Sequence, residues 1–441
     1  MRILFVYTLI CAALISGFIS PLGALLGYVW YALFRPQSWV WVDMSAFKFS
    51  LLLGVLLLLR SAVAGKWPNL THSNSLLMLG LLAASLVAQT NAVQPDIGWY
   101  WLDFLGRLVL VTLLLVSIVD SRRSMWLTIL VISASLGFHT AKAGLVSILG
   151  GGVQYYDGLG GAFADNNGYA LAAAMIMPLL WATARACPDR FRFRRILSMG
   201  FYLAVPLTAF TVISTFSRGG FLAMLAAAAV FIIFRKRKLA TLGVGLLLAV
   251  VALPFIPLPD GYLDRIDTIT TYQEVEDNSA LGRLHFWKVA WQMACDNPLG
   301  VGLYNYESNY DTYDFSHGAF GTKRAVHSSH FQILAETGFI GFILYGCLFI
   351  NSFLICFRIR RQARNALPPS EGLFLSTIAE SLLMTMTAFL AGGSFIALGL
   401  NDLSWLTFGV VAALDRLTAS LVEAREQRDD TPSAEECPVP A

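Results

Sequence analysis

Charge is what this sequence has least of. Only 13% of its 441 residues are Asp, Glu, Lys or Arg, while 56% are hydrophobic; a soluble domain carries roughly a quarter charged. That shortage excludes a large soluble enzyme and leaves a chain that crosses a membrane many times. Cysteine is sparse too. The six at positions 11, 187, 295, 347, 356 and 437 form no CxxC or zinc-like spacing, so neither a disulfide framework nor a zinc site is indicated. There is no HExxH pattern, no Rossmann-like stretch and no Asp-x-Asp on a soluble domain, which removes the motif support for a zincin or a nucleotide-sugar domain. No solenoid-type repeat occurs, and nothing indicates nucleic acid as a partner.

What is present is apolar sequence in lengths close to the ~20 residues that cross a ~30 Å hydrocarbon core. Such stretches lie near 3–34, 47–64, 75–90, 103–120, 124–148, 168–184, 198–216, 219–234, 238–256, 329–356, 372–398 and 402–420. The first is broken around Pro21 and reads as one long span or as two short helices. Its early Arg2 and apolar run resemble a signal peptide, but without a small-x-small cleavage site it reads as an uncleaved span. With about twelve spans, the basic clusters at Arg122-Arg123, 185–195, 235–238 and 358–364 all face one side, which the positive-inside rule makes cytoplasmic. Both termini then lie inside, and the 257–328 loop lies outside. The chain divides into N-terminal spans (1–200), a core with that loop (201–345), C-terminal spans (346–421) and a charged tail (422–441) expected to be disordered. "NLT" at 69–71 matches a glycosylation sequon but falls on the cytoplasmic side.

The outer loop holds ten acids and five Lys or Arg. A helix is expected from Ser279 to Asn297-Pro298, with Leu284, Trp287, Trp291 and Ala294 as an apolar stripe for the membrane surface or neighbouring spans. "NPLGVGLYNYESNYDTYD" follows. Its turn and its hydroxyl- and amide-rich run, including Tyr304 and Asn305, suit sugar binding and equally suit an ordinary polar loop.

A few charged and titratable groups need a reason. Arg218, in "STFSRGGFLAML", is a positive charge on the outer side beside a tight turn. It is either a snorkelling helix-end arginine or a bidentate partner for a lipid pyrophosphate. Arg283 is either a solvated or cation–π group or a second such partner. Lys323 and Arg324 precede His327 and His330, two of only six histidines, placed one turn apart where a polar stretch enters an apolar helix. These histidines read as interfacial groups, as metal ligands with His317, or as a proton acceptor kept neutral by nearby positive charge.

Four segments, "SRGG" (217–220), "SALGRLHFW" (279–287), "NPLGVGLYNYE" (297–307) and "HSSHFQILAETGFIG" (327–341), together resemble the O-antigen ligase/polymerase family. The last is similar to the family pattern of His-Asn, then Leu or Phe, then Glu-x-Gly. Aligned on "QILAETG", His327 takes the family histidine's place and Ser328 replaces the usual Asn. "GGAFADNNGYA" (160–170) adds an Asp/Asn signature that includes Asn167. The N-terminal half, with "WYALFRPQSW", looks most like the O-glycosylation ligases associated with exosortase systems.

The resemblance implies an all-α polytopic membrane protein of the GT-C-like class with a large periplasmic loop. It implies a metal-independent glycosyltransferase of the bacterial inner membrane, its site facing the periplasm, with no cofactor. The donor would be a glycan on undecaprenyl pyrophosphate; the acceptor hydroxyl would sit on a lipid, a protein or another glycan. Carried over by position, Arg218 and Arg283 would bind the pyrophosphate and steady its charge as it leaves. His327 would take or position the acceptor's proton. Asn167, Tyr304, Asn305, Arg324 and His330 join them as expected substrate-binding residues. A repeat-unit polymerase is the alternative within this chemistry. A transporter of lipid-linked glycan is the alternative outside it, disfavoured by the lack of matched halves.

Overall fold

The structure, a computed structural model, describes residues 2–252 and 278–429 apart from positions 42, 43, 45, 46, 156, 162 and 190. The first part of the expected outer loop, 257–277, lies outside the described residues. The helices are α1 (Arg2–Ile19), α2 (Pro21–Phe34), α3 (Phe49–Val63), α4 (Ser73–Ala88), α5 (Pro95–Ile118), α6 (Arg122–Leu149), α7 (Asn166–Arg185), α8 (Arg194–Ser214), α9 (Arg218–Ile233) and α10 (Lys238–Ala252). After the gap come α11 (Asn278–Asp296), α12 (Tyr306–Tyr313), α13 (Ser329–Asn365), α14 (Pro369–Gly392) and α15 (Asp402–Asp429). An antiparallel hairpin of β1 (Asp157–Gly160) and β2 (Phe163–Asp165) leads into α7. Nine of the described helices are long and apolar enough to cross a membrane, and Phe49–Val63, Arg218–Ile233 and Lys238–Leu247 are shorter apolar helices.

Close helix contacts rest on small residues, as expected where apolar surface is not itself the driving force. Ala170, Ala172, Ala173 and Ala174 of α7 are fully buried, and a Cβ on Gly220 of α9 would stand 2.3 Å from that of Ala170. Hydroxyls tie neighbours across the core: Thr140 to Thr208 at 2.9 Å and Thr183 to Ser133 at 2.9 Å.

The first apolar stretch is a helical hairpin. Ser20 caps α2 by accepting the Gly23 N–H at 3.0 Å, Pro21 opens the helix, and Gly27 packs on Ala13, a start of the usual kind. The turn brings Arg2 within 5.1 Å of the Trp41 ring, near Arg35 at the end of α2, while α15 runs away from that end. Arg2 and the later half of α15 therefore lie at opposite ends of the described bundle, α1 and α2 forming an antiparallel pair. The expectation that the two termini share a face concerns residues that include 430–441, outside the described residues. Ion pairs gather at the end opposite Arg2: Lys66 with Asp120, Arg358 with Asp415, and Arg235 and Arg360 with Glu380. The basic clusters belong to that end. The tail differs from expectation: α15 continues through residues 422–429, whose Glu, Ala, Arg and Gln are good helix formers.

One break in the helices shapes the site. Gly338 in α13 adopts φ 68° and ψ −171°, which frees backbone groups that a buried setting must satisfy. The segment 298–302 supplies the partners. Val301 and Gly302 donate to the carbonyls of Ala335 and Glu336 at 3.1 and 3.0 Å, and Phe339 donates to Pro298 at 3.0 Å. Two of the quoted motifs thus lock into each other. A Cβ on Gly338 would fall 2.2 Å from the Pro298 oxygen.

Candidate active site

At the end of the bundle away from those four ion pairs lies a cavity of about 640 Å³. Its wall takes Arg35 from the end of α2, Trp101 from α5, Asp165 from β2, Tyr304 from the 298–305 loop, His327 from just before α13, and Asp402 from α15. Seven non-glycine residues among those described have left-handed backbone, and three of them, Arg35 (φ 51°), Tyr304 (φ 53°) and His327 (φ 48°), line this cavity. A fourth, Phe216 (φ 56°), comes two residues before Arg218. Such backbone costs free energy for bulky residues and collects at functional sites.

His327 is half-buried, and its ring centroid lies 5.9 Å from that of Phe286 in α11. Burial, then the guanidinium groups of Arg283 and Arg324, push its imidazole below the ordinary value, with Asp165 opposing. Arg324 stands over the Phe286 ring at 5.7 Å. Arg283 is one helical turn before Phe286, on the same face. Trp287 lies flat on Phe331 at 5.4 Å, which fixes α11 along the start of α13. A neutral imidazole between two guanidinium groups is a competent proton acceptor.

Arg218 opens α9 and does not itself line the cavity. Its neighbour Ser217 accepts the Gly220 N–H at 3.1 Å and donates to the Asn167 side-chain oxygen at 2.8 Å. Asn167 follows Asp165 of the cavity wall by two residues. Gly219 packs on Phe395, which precedes the lining residues Ile396 and Ala397. Two links therefore hold Arg218 beside the cavity.

Other expected residues are placed differently. His330 does not share a face with His327, because the helix begins only at Ser329, after the Ser328 cap. Its Nε2 lies 3.0 Å from the Leu390 carbonyl and its Nδ1 3.3 Å from the Tyr345 hydroxyl, so both nitrogens are engaged inside the bundle. Asn305 is fully buried; its Oδ1 accepts the Gln94 N–H at 2.7 Å, which pins the loop to the start of α5. His285 pairs with Asp314 at 2.8 Å. Burial works against ionising that carboxyl, but hydrogen bonds from Ser316, Gly318 and His285 hold it down, to about 2. His317 is exposed, and no metal-competent cluster of His, Cys, Asp and Glu occurs among the described residues.

The expected stripe on α11 does two things: Ala294 is buried and Trp287 stacks on Phe331 of the neighbouring span, while Leu284 and Trp291 stay open, about half exposed. Phe286, Val289, Ala290 and Met293 are buried as well, packed with Tyr306 and Tyr310 of α12. Both sets have helical spacing, so periodicity could not choose between them.

Sequence reasoning passed over Arg35, Trp101, Asp165, Gln332, Glu336 and Asp402, all in the cavity wall. Gln332 holds the 393–401 strap by accepting the Gly399 N–H at 3.1 Å, and Ser329 holds it by donating to Ile396 at 2.7 Å. The available signal was polar residues at the edges of apolar runs, in stretches already singled out for other reasons.

Fold and site define a polytopic, mostly helical membrane protein with a cavity of mixed polar and apolar lining at one end. Residues 203–346 match the family model described as O-antigen ligase, and residues 1–186 match a family of unknown function (DUF5935). No curated protein matches the chain. The first match supports membrane glycan processing of the ligase or polymerase kind, with a lipid-linked glycan and an acceptor as substrates. It contains Arg218, Arg283, Tyr304 and His327; Arg35, Trp101 and Asp165 come from the other match. The cavity is built from both.

Proposed function

We propose that the protein is a glycosyltransferase that moves a glycan from undecaprenyl pyrophosphate to an acceptor hydroxyl at the periplasmic face of the inner membrane. The observation that carries this reading is His327: a half-buried imidazole in the lining of the cavity, kept toward its neutral form by burial and by Arg283 and Arg324. In the reaction, the acceptor oxygen attacks the anomeric carbon as its proton passes to the free imidazole nitrogen. The bond from that carbon to the pyrophosphate oxygen breaks, with inversion, and the electron pair leaves on the pyrophosphate. Arg218 and Arg283 stabilise the charge that develops there, the kind of positioned electrostatics that usually dominates such steps. Tyr304 and Arg324 border the substrates. Asn167 serves through Ser217, positioning Arg218, and His330 and Asn305 hold the scaffold. Transfer on a good leaving group needs a base and fixed positive charge, so the reading assigns no metal.

The test is transfer in proteoliposomes containing the purified protein, an undecaprenyl-pyrophosphate-linked glycan and separate lipid, peptide and glycan acceptors, with and without a chelator. Transfer that survives chelation supports the reading. Its absence with every acceptor, or its loss on chelation, overturns it. Lengthening of the donor glycan alone would mark a polymerase.

A further inference from the structure

We propose that the cavity is a sugar-ring subsite that takes a neutral or amine-bearing pyranose and rejects an acidic one. This deepens the transferase reading and rests on it only for the ring's role in the reaction.

The first observation is an aromatic wall. Trp101 lies flat on Tyr304, centroids 3.7 Å apart and planes 5° from parallel, and both line the cavity. Neither is fully buried. A stacked pair left partly open to a cavity with both apolar and polar walls offers a flat apolar platform beside hydrogen-bonding edges, which is the chemistry of a pyranose: C–H bonds on one face, hydroxyls around the rim.

The second is the polar rim. Arg35 belongs to no ion pair within 4.0 Å among the described residues, and its Nε is buried without a hydrogen-bond partner. A buried donor left open beside a cavity calls for a partner. Its seat is built to fit: Gly161, at φ 56°, is so close that a Cβ would lie 2.3 Å from the guanidinium nitrogens. Gln332, Glu336 and Asp402 supply acceptors on the same wall.

The third is charge. Four acidic side chains, Asp165, Glu307, Glu336 and Asp402, line the cavity with one guanidinium, that of Arg35. Burial pushes the Glu307 carboxyl up, so the wall is rich in acceptors without being fourfold negative, and its acids still outnumber its one base. The two arginines assigned to the pyrophosphate are outside this lining. Diphosphate and sugar are thereby sorted, the anion to the arginines outside the lining and an uncharged or cationic ring to the cavity. The ring is either the first sugar of the donor or part of the acceptor, and kinetics separate the two.

The binding test needs no turnover. Saturation-transfer NMR on the full-length protein in nanodiscs would use three probes: methyl glucoside, methyl glucosaminide and methyl glucuronide. The neutral and amino probes should bind in the millimolar range and the glucuronide markedly less. Trp101→Ala should weaken the first two about tenfold, Arg35→Gln should weaken them several-fold, and Trp291→Ala, on the outer face of α11, should change nothing. Glu307→Gln, an exposed substitution that leaves the core intact, should narrow the glucuronide gap. The proposal is overturned if the glucuronide binds best, if Trp101→Ala and Arg35→Gln both bind like wild type, or if no probe binds. In the transfer assay, a KM increase in Trp101→Ala for the donor or for the acceptor names the source of the ring. Glycoside binding without any transfer would sink the transferase reading and keep the subsite.

Discussion

The Ser217 hydroxyl donates to the side-chain oxygen of Asn167 across 2.8 Å, while accepting the Gly220 N–H at 3.1 Å. One hydroxyl thus caps α9 and fastens its start, with Arg218, to the start of α7 beside Asp165. Ser217→Ala should lower stability by about 1 kcal/mol, the usual cost of a lost cap. It should also raise KM for the lipid-linked donor more than it lowers kcat. Ser217→Thr should restore both. Thermal unfolding in detergent and a donor titration check this, and an unchanged donor KM would detach Arg218 from the site.

The pH dependence follows from His327. Burial first, then Arg283 and Arg324, lower its pKa, and a base works only when neutral. The acid limb of kcat/KM should therefore fall below the ordinary imidazole value of about 6.5. Arg283→Gln removes a cation that favours the neutral form, so its limb should move to higher pH, along with an overall loss of rate. The stability sign is also set. The unfolded chain binds this proton at higher pH than the folded one, so stability declines as pH falls from the unfolded value toward the folded one. A limb that stays in place in Arg283→Gln would contradict the assignment.

Gly338 and the Asn297–Gly302 segment form one lock. Gly338→Ala puts a methyl 2.2 Å from the Pro298 oxygen at φ 68°, and should cost at least ~2 kcal/mol from strain and steric overlap together. Gly346→Ala, later in the same helix with nothing within 4 Å, should fall within about 0.5 kcal/mol of wild type. Denaturation midpoints of the two variants settle it, and equal stability would mean the lock does not matter.

Gly161→Ala should reproduce Arg35→Gln without touching the arginine. The added methyl would lie 2.3 Å from the guanidinium, which must leave its seat. The expected readout is a similar loss of glycoside affinity in the two variants, with additivity lost in the double variant. Full additivity would show that Arg35 is not held by this glycine.

Much of the bundle could be read from apolar run length alone, because lipid-facing helices need it; α4 to α7 begin and end within a few residues of the expected bounds except at the start of α5. The α1–α2 hairpin does not follow from sequence, since a Pro at the first position of a helix and a Pro inside a broken one look alike there. Charge standing out of place in the sequence points to Arg218, Arg283 and Arg324; in the structure Arg283 and Arg324 act on His327, while Arg218 lies outside the cavity lining. The site was not legible where a polar residue belongs equally to a helix end, as with Arg35, Glu336 and Asp402. Only the fold shows that these three, from distant parts of the chain, meet at one cavity. Histidine spacing misled because a helical face requires a helix, and the backbone of His327 is left-handed.

Two histidines three residues apart give the most direct test. His327 lines the cavity, whereas His330 is tied to Leu390 and Tyr345. In proteoliposomes with lipid-linked glycan and a competent acceptor, His327→Ala should lose transfer by about 10²–10⁴-fold. His330→Ala should keep most of it while unfolding about 1 kcal/mol more easily. Equal transfer by the two variants, or greater loss in His330→Ala, would contradict the account.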